Sequence, residues 1–111
     1  MCTEIFQEIQ KEIDGNAVVL FMKGDPTFPQ CGFSAAIAGL LTNLNIEFKG
    51  VNVLASEEIR QAIKEFSDWP TIPQLYIKGE FIGGCDIVRV MYHSGDFIKL
   101  FVDKDIQHNA A

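Results

Sequence analysis

The chain has 111 residues, 48% of them hydrophobic, which suits one domain that folds around its own core without disulfide bonds or a structural metal. A formal net charge of −6 argues against a nucleic-acid-binding protein, because nucleic acid requires a basic surface. The longest apolar run is too short to span a bilayer, and three widely spaced cysteines do not make a disulfide framework.

The first half of the chain alternates helical and strand patterns. Thr3 can cap a helix that ends at Gly15. The continuous apolar run from Ala17 to Met22 predicts a strand buried on both faces, and a proline-stiffened loop over 23–30 follows it. A second helix is predicted from Cys31. The apolar positions of these two helices are Ile5, Phe6, Ile9 and Ile13 in the first, and Phe33, Ile37, Leu40, Leu41 and Leu44 in the second.

The second half of the chain contains three more strand patterns. Phe48, Val51 and Val53 predict the second strand, and Ser56 caps a helix with Ile59, Ile63 and Phe66 on its apolar face. A hairpin is predicted from two short apolar segments, 75–77 and 81–82, that flank Lys78-Gly79-Glu80. The last helix carries Ile87, Val90 and Met91 and stops at Gly95. A short helical turn over 97–102 and a polar tail over about 103–111 complete the chain.

The order of these elements predicts the architecture. Two strands joined through a helix lie parallel with a right-handed crossover, and the later hairpin adds antiparallel strands. The expected fold is therefore α/β, with a mixed four-stranded sheet flanked by helices on both faces. This is the thioredoxin-like architecture, here in one domain over residues 1–111.

The segment Cys31-Gly32-Phe33-Ser34 carries the clearest chemical signal. A cysteine at a helix N-terminus faces unpaired N–H groups, which lower the pKa of its thiol, and Lys23 can bring a further positive charge. Ser34 stands where a dithiol motif has its second sulfur, so Cys31 must use an external thiol or hold a metal. The alternative interpretation of Cys31 is a buried, inert residue.

Two further segments are candidates for ligand contacts. The Ile72–Pro73 bond is a candidate cis peptide that leaves the Ile72 backbone open to an extended peptide, or an ordinary proline at a strand start. In Gly83-Gly84-Cys85-Asp86 the glycines allow close approach to the backbone. Asp86 is either a first-turn acid of the last helix or an acceptor for a ligand ammonium group. Cys85 is a second thiol able to pair oxidatively with Cys31.

Together, the segments 23–34, 69–76 and 79–87 resemble the signature segments of the monothiol, CGFS-type glutaredoxins, in order and spacing. The resemblance runs over nearly the whole chain. It implies a glutathione site, and a 2Fe–2S cluster shared by two protomers, each giving one cysteine and one noncovalently held glutathione.

The resemblance also implies roles for individual residues. Cys31 would be the catalytic thiol and the cluster ligand. Glutathione would be bound by Lys23 and Arg60 at its glycine carboxylate, by the Ile72 backbone at its cysteinyl part, and by Cys85 and Asp86 at its γ-glutamyl end. Gly32, Phe33, Pro73 and Gly84 would shape the site. Without this resemblance, Arg60 is interpreted as part of a solvated helix face. Asp25, where many relatives have threonine, adds a negative charge that would weaken glutathione binding.

Three functions follow as hypotheses. The first is a glutathione-dependent carrier that binds a 2Fe–2S cluster as a homodimer and passes it to apo-proteins. The alternative is a thiol–disulfide oxidoreductase acting on glutathionylated proteins, and the third is an interaction module without activity. The resemblance suggests iron–sulfur client proteins and a BolA-like protein as partners, with neither nucleic acid nor membrane involved. Because the N-terminal residues show no targeting pattern, a cytoplasmic location is expected.

Overall fold

The structure is a computed structural model that describes residues 2–106, with side chains from Glu4 onward. Its helices and strands are α1 (Cys2–Gly15), β1 (Val18–Met22), α2 (Gly32–Asn43), β2 (Lys49–Asn52), a 3-10 turn (Val53–Ala55), α3 (Glu57–Ser67), β3 (Gln74–Ile77), β4 (Glu80–Gly83), α4 (Cys85–Ser94) and α5 (Asp96–Asp103). The end of the predicted polar tail, 107–111, lies outside the described residues.

The four strands form one mixed sheet in the order β2-β1-β3-β4. Strand β1 pairs in parallel with β2 and antiparallel with β3, and β3 pairs antiparallel with β4. Every residue of β1 and β3 is buried, as expected for central strands covered on both faces. The predicted fold class and sheet are therefore confirmed.

Alternate residues of β1 enter two separate hydrophobic cores. Val18, Leu20 and Met22 pack on one face with α2, α4 and α5, whereas Val19 and Phe21 pack on the other with α1 and α3. Burying one such aliphatic or aromatic side chain fully is worth about 1.5–3 kcal/mol. The sheet is thus fixed from both sides, and the loops at its ends are held in place by it.

The predicted cap of the third helix and the predicted hairpin turn are both confirmed. Ser56 Oγ accepts a hydrogen bond from the Ile59 amide at 3.3 Å and so caps α3. Lys78 and Gly79 both have positive φ values, 52° and 82°, which the tight two-residue turn between β3 and β4 requires.

Several sequence predictions were wrong at element boundaries. Helix α1 begins at Cys2, so Thr3 lies inside it and does not precede it as a cap. Val53 belongs to the 3-10 turn and not to β2, because Asn52 Oδ1 accepts from the Leu54 amide and turns the chain out of the sheet. By contrast, the helical turn predicted over 97–102 is confirmed as helix α5, which is one residue longer at each end and buries Phe97 and Phe101.

The predicted apolar faces of α2 and α4 were also partly wrong. Phe33 is 58% exposed and Val90 69% exposed, and Ile87 is more than one-third exposed. Helix α4 instead buries Cys85 and Val88. The periodicity was read correctly as helical, but it included apolar residues that lie on the surface.

A polar depression of about 570 Å³ lies where α2 and α5 end. Each helix is followed by a residue with φ of 56°, Asn45 after α2 and Asp105 after α5, and both residues line the depression together with Glu47. The carboxyl ends of two helices thus meet at this end of the sheet, with Glu47 and Asp105 beside the side chains of Lys49 and Lys78. In the part of the chain that the structure describes, no helix has the length and apolarity needed to cross a membrane.

Candidate functional site

Cys31 lies at the junction between the loop after β1 and the start of α2. Its backbone is extended, with φ of −145° and ψ of 135°, and its carbonyl accepts from the Ala35 amide at 2.9 Å. Cys31 is therefore the N-cap residue of α2, and its side chain does not form a capping hydrogen bond. The thiol is partly exposed, so the alternative of a buried, inert cysteine is excluded for Cys31.

The surroundings of Cys31 lower the pKa of its thiol. The largest cause is the backbone amide of Ser34; the amide of Phe33, the ammonium group of Lys23 and the hydroxyl of Ser34 act in the same direction, while partial burial opposes them. These are donors and positive charges that favour the thiolate form. The predicted activation of Cys31 by the helix start and by Lys23 is confirmed.

Ser34 has a structural role beneath the thiol. It is fully buried, and its Oγ accepts a hydrogen bond from the Lys23 amide at 3.1 Å. This bond joins the end of β1 to the first turn of α2 across the loop. Ser34, which stands where dithiol motifs have their second sulfur, therefore keeps Lys23 close to the helix start at Cys31.

The loop between β1 and α2 is organised by two side-chain oxygens. Asn52 Oδ1 accepts from the Gly24 amide at 3.0 Å, and Asp25 Oδ1 accepts from the Thr27 and Phe28 amides at 2.9 and 2.8 Å. The Asp25 carboxylate thus closes its own turn. Asp25 is not among the groove residues described next, so the structure gives no support to the expected charge effect on a ligand.

A groove of about 440 Å³ opens beside Cys31. Its lining contains Lys23, Cys31, Phe33, Lys64, Trp69, Pro70, Thr71, Ile72, Pro73, Gly84, Cys85, Asp86 and Ile87. Eight of the predicted site residues therefore meet at one surface. Gly32 and Arg60 do not line it, and a Cβ on Gly32 would meet nothing within 4 Å, so packing does not require a glycine there.

The cation that α3 places on the groove is Lys64, one turn after Arg60. Arg60 Nη1 instead lies 3.4 Å from Glu57 Oε2, and its Nε is buried without a hydrogen-bond partner among the described residues. Arg60 and Lys64 are four residues apart and therefore lie on the same side of the helix. Lys64 is not among the site residues predicted from the sequence, although its spacing from Arg60 was a signal for it.

Residues 69–73, here called the wall segment, form one side of the groove. The Ile72–Pro73 bond is cis, which decides between the two alternatives that the sequence left open. Within residues 2–106 no backbone hydrogen bond is found on Ile72, so its amide and carbonyl remain open to a ligand. A Cβ on Gly84 would lie 3.3 Å from both the Pro73 carbonyl oxygen and Trp69 Nε1. The absence of a side chain at Gly84 therefore lets the wall segment pack closely against the start of α4.

Cys85 and Asp86 stand at the start of α4, opposite the wall segment. Burial raises the pKa of the Cys85 thiol, and the negative charges of Asp86 and Cys31 act in the same direction against the effect of Arg89. Asp86 is exposed in the first turn of the helix. Both α2 and α4 thus begin at the groove, one with a reactive thiol and one with a protected thiol.

The opposite pKa shifts predict that iodoacetamide reacts first with Cys31. At neutral pH we expect peptide mass spectrometry to find Cys31 alkylated well before Cys85. Because the thiolate is the reacting form, the rate at Cys31 should fall about tenfold per pH unit once the pH is below its lowered pKa. Faster labelling of Cys85 would contradict the assignment of the accessible thiolate.

Comparison with known proteins agrees with this geometry. The sequence model of the glutaredoxin family matches residues 18–82. The "Probable monothiol glutaredoxin 2" of Rickettsia conorii is 53% identical over 95 residues, which are 86% of this chain and 89% of that one. The mitochondrial monothiol glutaredoxin-5 of Saccharomyces cerevisiae is 52% identical over 103 residues, covering 90% of this chain and 69% of that one.

Solved structures give the same result. A monomeric truncated mutant of Trypanosoma brucei 1-C-Grx1 superimposes with a TM-score of 0.87 at 42% identity, covering 96% of both chains. Reduced poplar apo GrxS14 gives 0.79 at 48% identity, covering 88% of this chain and 90% of that one. Fold, thiol motif and sequence therefore agree, and the chain belongs to the monothiol glutaredoxins.

Proposed function

We propose that this protein is a glutathione-dependent carrier of 2Fe–2S clusters, which binds the cluster as a homodimer and passes it to apo-proteins. The observation that carries the proposal is the single accessible thiol of the groove, Cys31, with its lowered pKa and with a hydroxyl at Ser34. A thiolate in this position can ligate iron or form a mixed disulfide. Because the motif has no second sulfur, a thiol from another molecule is needed to complete the iron ligands or to resolve a mixed disulfide.

The donor set of the chain fits a shared cluster and not one held by a single protomer. Iron–sulfur clusters are held by four ligands, mostly thiolates. Among residues 2–106 no group of three or more metal-ligating side chains occurs, and Cys85 is buried with a raised pKa. When bound, the cluster would supply an iron–sulfur group that is exchangeable because only Cys31 of each chain and external thiols hold it.

Glutathione is the external thiol that suits the groove. Its carboxylates match the cations Lys23 and Lys64, and the open backbone of Ile72 can pair with its peptide unit. Asp86 can accept from its ammonium group, and the first amides of α2 and α4 favour its negative charges. Arg60 remains a proposed contact that requires its side chain to leave Glu57.

The partners follow from the same proposal. Apo forms of iron–sulfur proteins would accept the cluster, and a BolA-like protein is proposed as a further partner on the basis of the family resemblance. The cytoplasm is proposed as the location.

Anaerobic reconstitution tests this function directly. Apo-protein is mixed with iron, sulfide and glutathione, and the product is examined by visible absorption and by native mass spectrometry. We expect a brown dimer that contains one 2Fe–2S cluster and two glutathione molecules, and no cluster when glutathione is left out. A colourless monomer that rapidly reduces glutathionylated peptides would overturn the proposal in favour of the oxidoreductase.

A further inference from the structure

The wall segment, residues 69–73, is attached to the core by the buried side chain of Ile72 and by the ring of Trp69, which packs on Phe81, but its backbone has few hydrogen bonds. It lies outside regular secondary structure, and its two prolines cannot donate hydrogen bonds. Its first amide, that of Trp69, donates to the Lys64 carbonyl at 3.1 Å and to Ser67 Oγ at 3.2 Å, which attaches it to the end of α3. Residues 70–73 have no backbone–backbone hydrogen bond of this kind with any described residue, so a further anchor for their carbonyls has to come from a side chain.

That anchor is the side chain of Gln74, which is fully buried. Its Nε2 donates to the Trp69 carbonyl at 3.1 Å and to the Thr71 carbonyl at 3.2 Å, so both amide hydrogens hold the wall segment. In the part of the chain that is described, these are the only side-chain hydrogen bonds to the wall's carbonyls. The side chain therefore fixes the backbone on the N-terminal side of Ile72.

The other end of the Gln74 carboxamide is fixed to the core. Its Oε1 accepts from the Tyr76 hydroxyl at 3.3 Å. Burial raises the pKa of Tyr76 to about 12, so this hydroxyl keeps its proton and remains a donor at physiological pH. The ring of Tyr76 packs against Phe21 and Phe81, with centroids 5.6 and 5.3 Å away. A rigid aromatic cluster thus holds the carboxamide that holds the wall.

We propose that Gln74 is a positioning residue of the glutathione site: its buried carboxamide binds the carbonyls of Trp69 and Thr71 and so sets the place of the Ile72 backbone across the groove from Cys31. The inference rests on the proposed glutathione function. Gln74 does not line the groove, so it acts through the wall segment and not by touching the ligand.

The test compares Gln74→Met with a core variant that is remote from the groove. Methionine keeps the length of the side chain but removes both donors. Leu44→Ala is the matched control, because Leu44 is buried at the far end of α2 from Cys31. Reduced glutathione is titrated anaerobically into ¹⁵N-labelled protein at a temperature well below both unfolding transitions.

We expect Gln74→Met to raise the Kd for glutathione about fivefold to tenfold, because a wall segment that has lost both hydrogen bonds must be ordered again when the ligand binds. Leu44→Ala should lower the melting temperature yet keep the Kd within twofold of the parent. Equal affinity of Gln74→Met and the parent overturns the positioning role while leaving the glutathione site intact. A parent protein that does not bind glutathione overturns the proposed function instead.

A second measurement needs no variant, and it can overturn the proposal even if Gln74→Met does not fold. The side-chain amide hydrogens of Gln74 should exchange with solvent far more slowly than those of the exposed Gln7. Exchange at the same rate as Gln7 would show that the carboxamide does not hold the wall segment, and would contradict the proposal.

Discussion

Cys31→Ser is expected to abolish both cluster assembly and the formation of a mixed disulfide with glutathione, while leaving the fold intact. A serine hydroxyl stays protonated at neutral pH and is a poor ligand for iron, so the variant loses the one thiolate that the groove offers. Serine is a good N-cap residue, and Cys31 is the N-cap of α2, so stability should be equal to or slightly above that of the parent.

Reconstitution of the variant with iron, sulfide and glutathione, followed by visible absorption, gives the result directly, and circular dichroism checks the fold. The matched control is Cys85→Ser, which also removes a thiol at the groove. Because the Cys85 thiol is buried with a raised pKa, this control should keep most of its cluster. A full cluster spectrum in Cys31→Ser, or equal loss in both variants, would mean that the ligand is assigned wrongly.

Lys23→Ala is expected to weaken glutathione binding about tenfold, which corresponds to ~1.4 kcal/mol. Hydrogen bonds to charged groups contribute about 1.5–3 kcal/mol, whereas fully exposed ion pairs contribute roughly 0.2–1 kcal/mol. Lys23 is half-buried on the groove, so its contribution should lie between these ranges. Isothermal titration of glutathione against the apo-protein measures the change.

Lys64→Ala and Arg60→Ala extend this measurement to α3. Because Lys64 lines the groove, Lys64→Ala should weaken glutathione binding by a similar factor. The family resemblance predicts the same for Arg60, while its contact with Glu57 predicts little effect. If Arg60→Ala binds glutathione like the parent while Lys64→Ala does not, Arg60 belongs to the solvated face of α3. No effect of Lys23→Ala would contradict the proposed carboxylate contact.

The sequence was sufficient for the elements whose signals are local. The uninterrupted apolar run before Lys23 gave a central strand, Ser56 gave a helix start, and Lys78-Gly79 gave the turn of a hairpin. Each of these depends on neighbouring residues alone. Cys31 belongs to the same class, because its activation arises from the first amides of its own helix and from nearby Lys23.

The other site residues depend on how each helix is rotated about its axis against its neighbours. Hydrophobic periodicity alone does not give this rotation. Arg60 and Lys64 share one side of α3, yet Lys64 lines the groove and Arg60 does not. Phe33 and Ile87 match helical spacing as well as any core residue, yet they line the groove. The role of Gln74 was hidden for the same reason, since its partners become visible only with the wall segment in place.

The direction of the helices has a consequence for how a ligand arrives. Helices α2 and α4 start at the groove, and α2 and α5 finish at the polar depression lined by Glu47 and Asp105. The amino ends of α2 and α4 thus bring positive partial charges to the groove, whereas at the far end the side chains of Lys49 and Lys78 offset the carboxylates of Glu47 and Asp105. Because the overall charge is −6, an anionic ligand is repelled at long range, and the attraction of Lys23, Lys64 and the two helix starts acts only within about one Debye length, ~8–10 Å, of the groove.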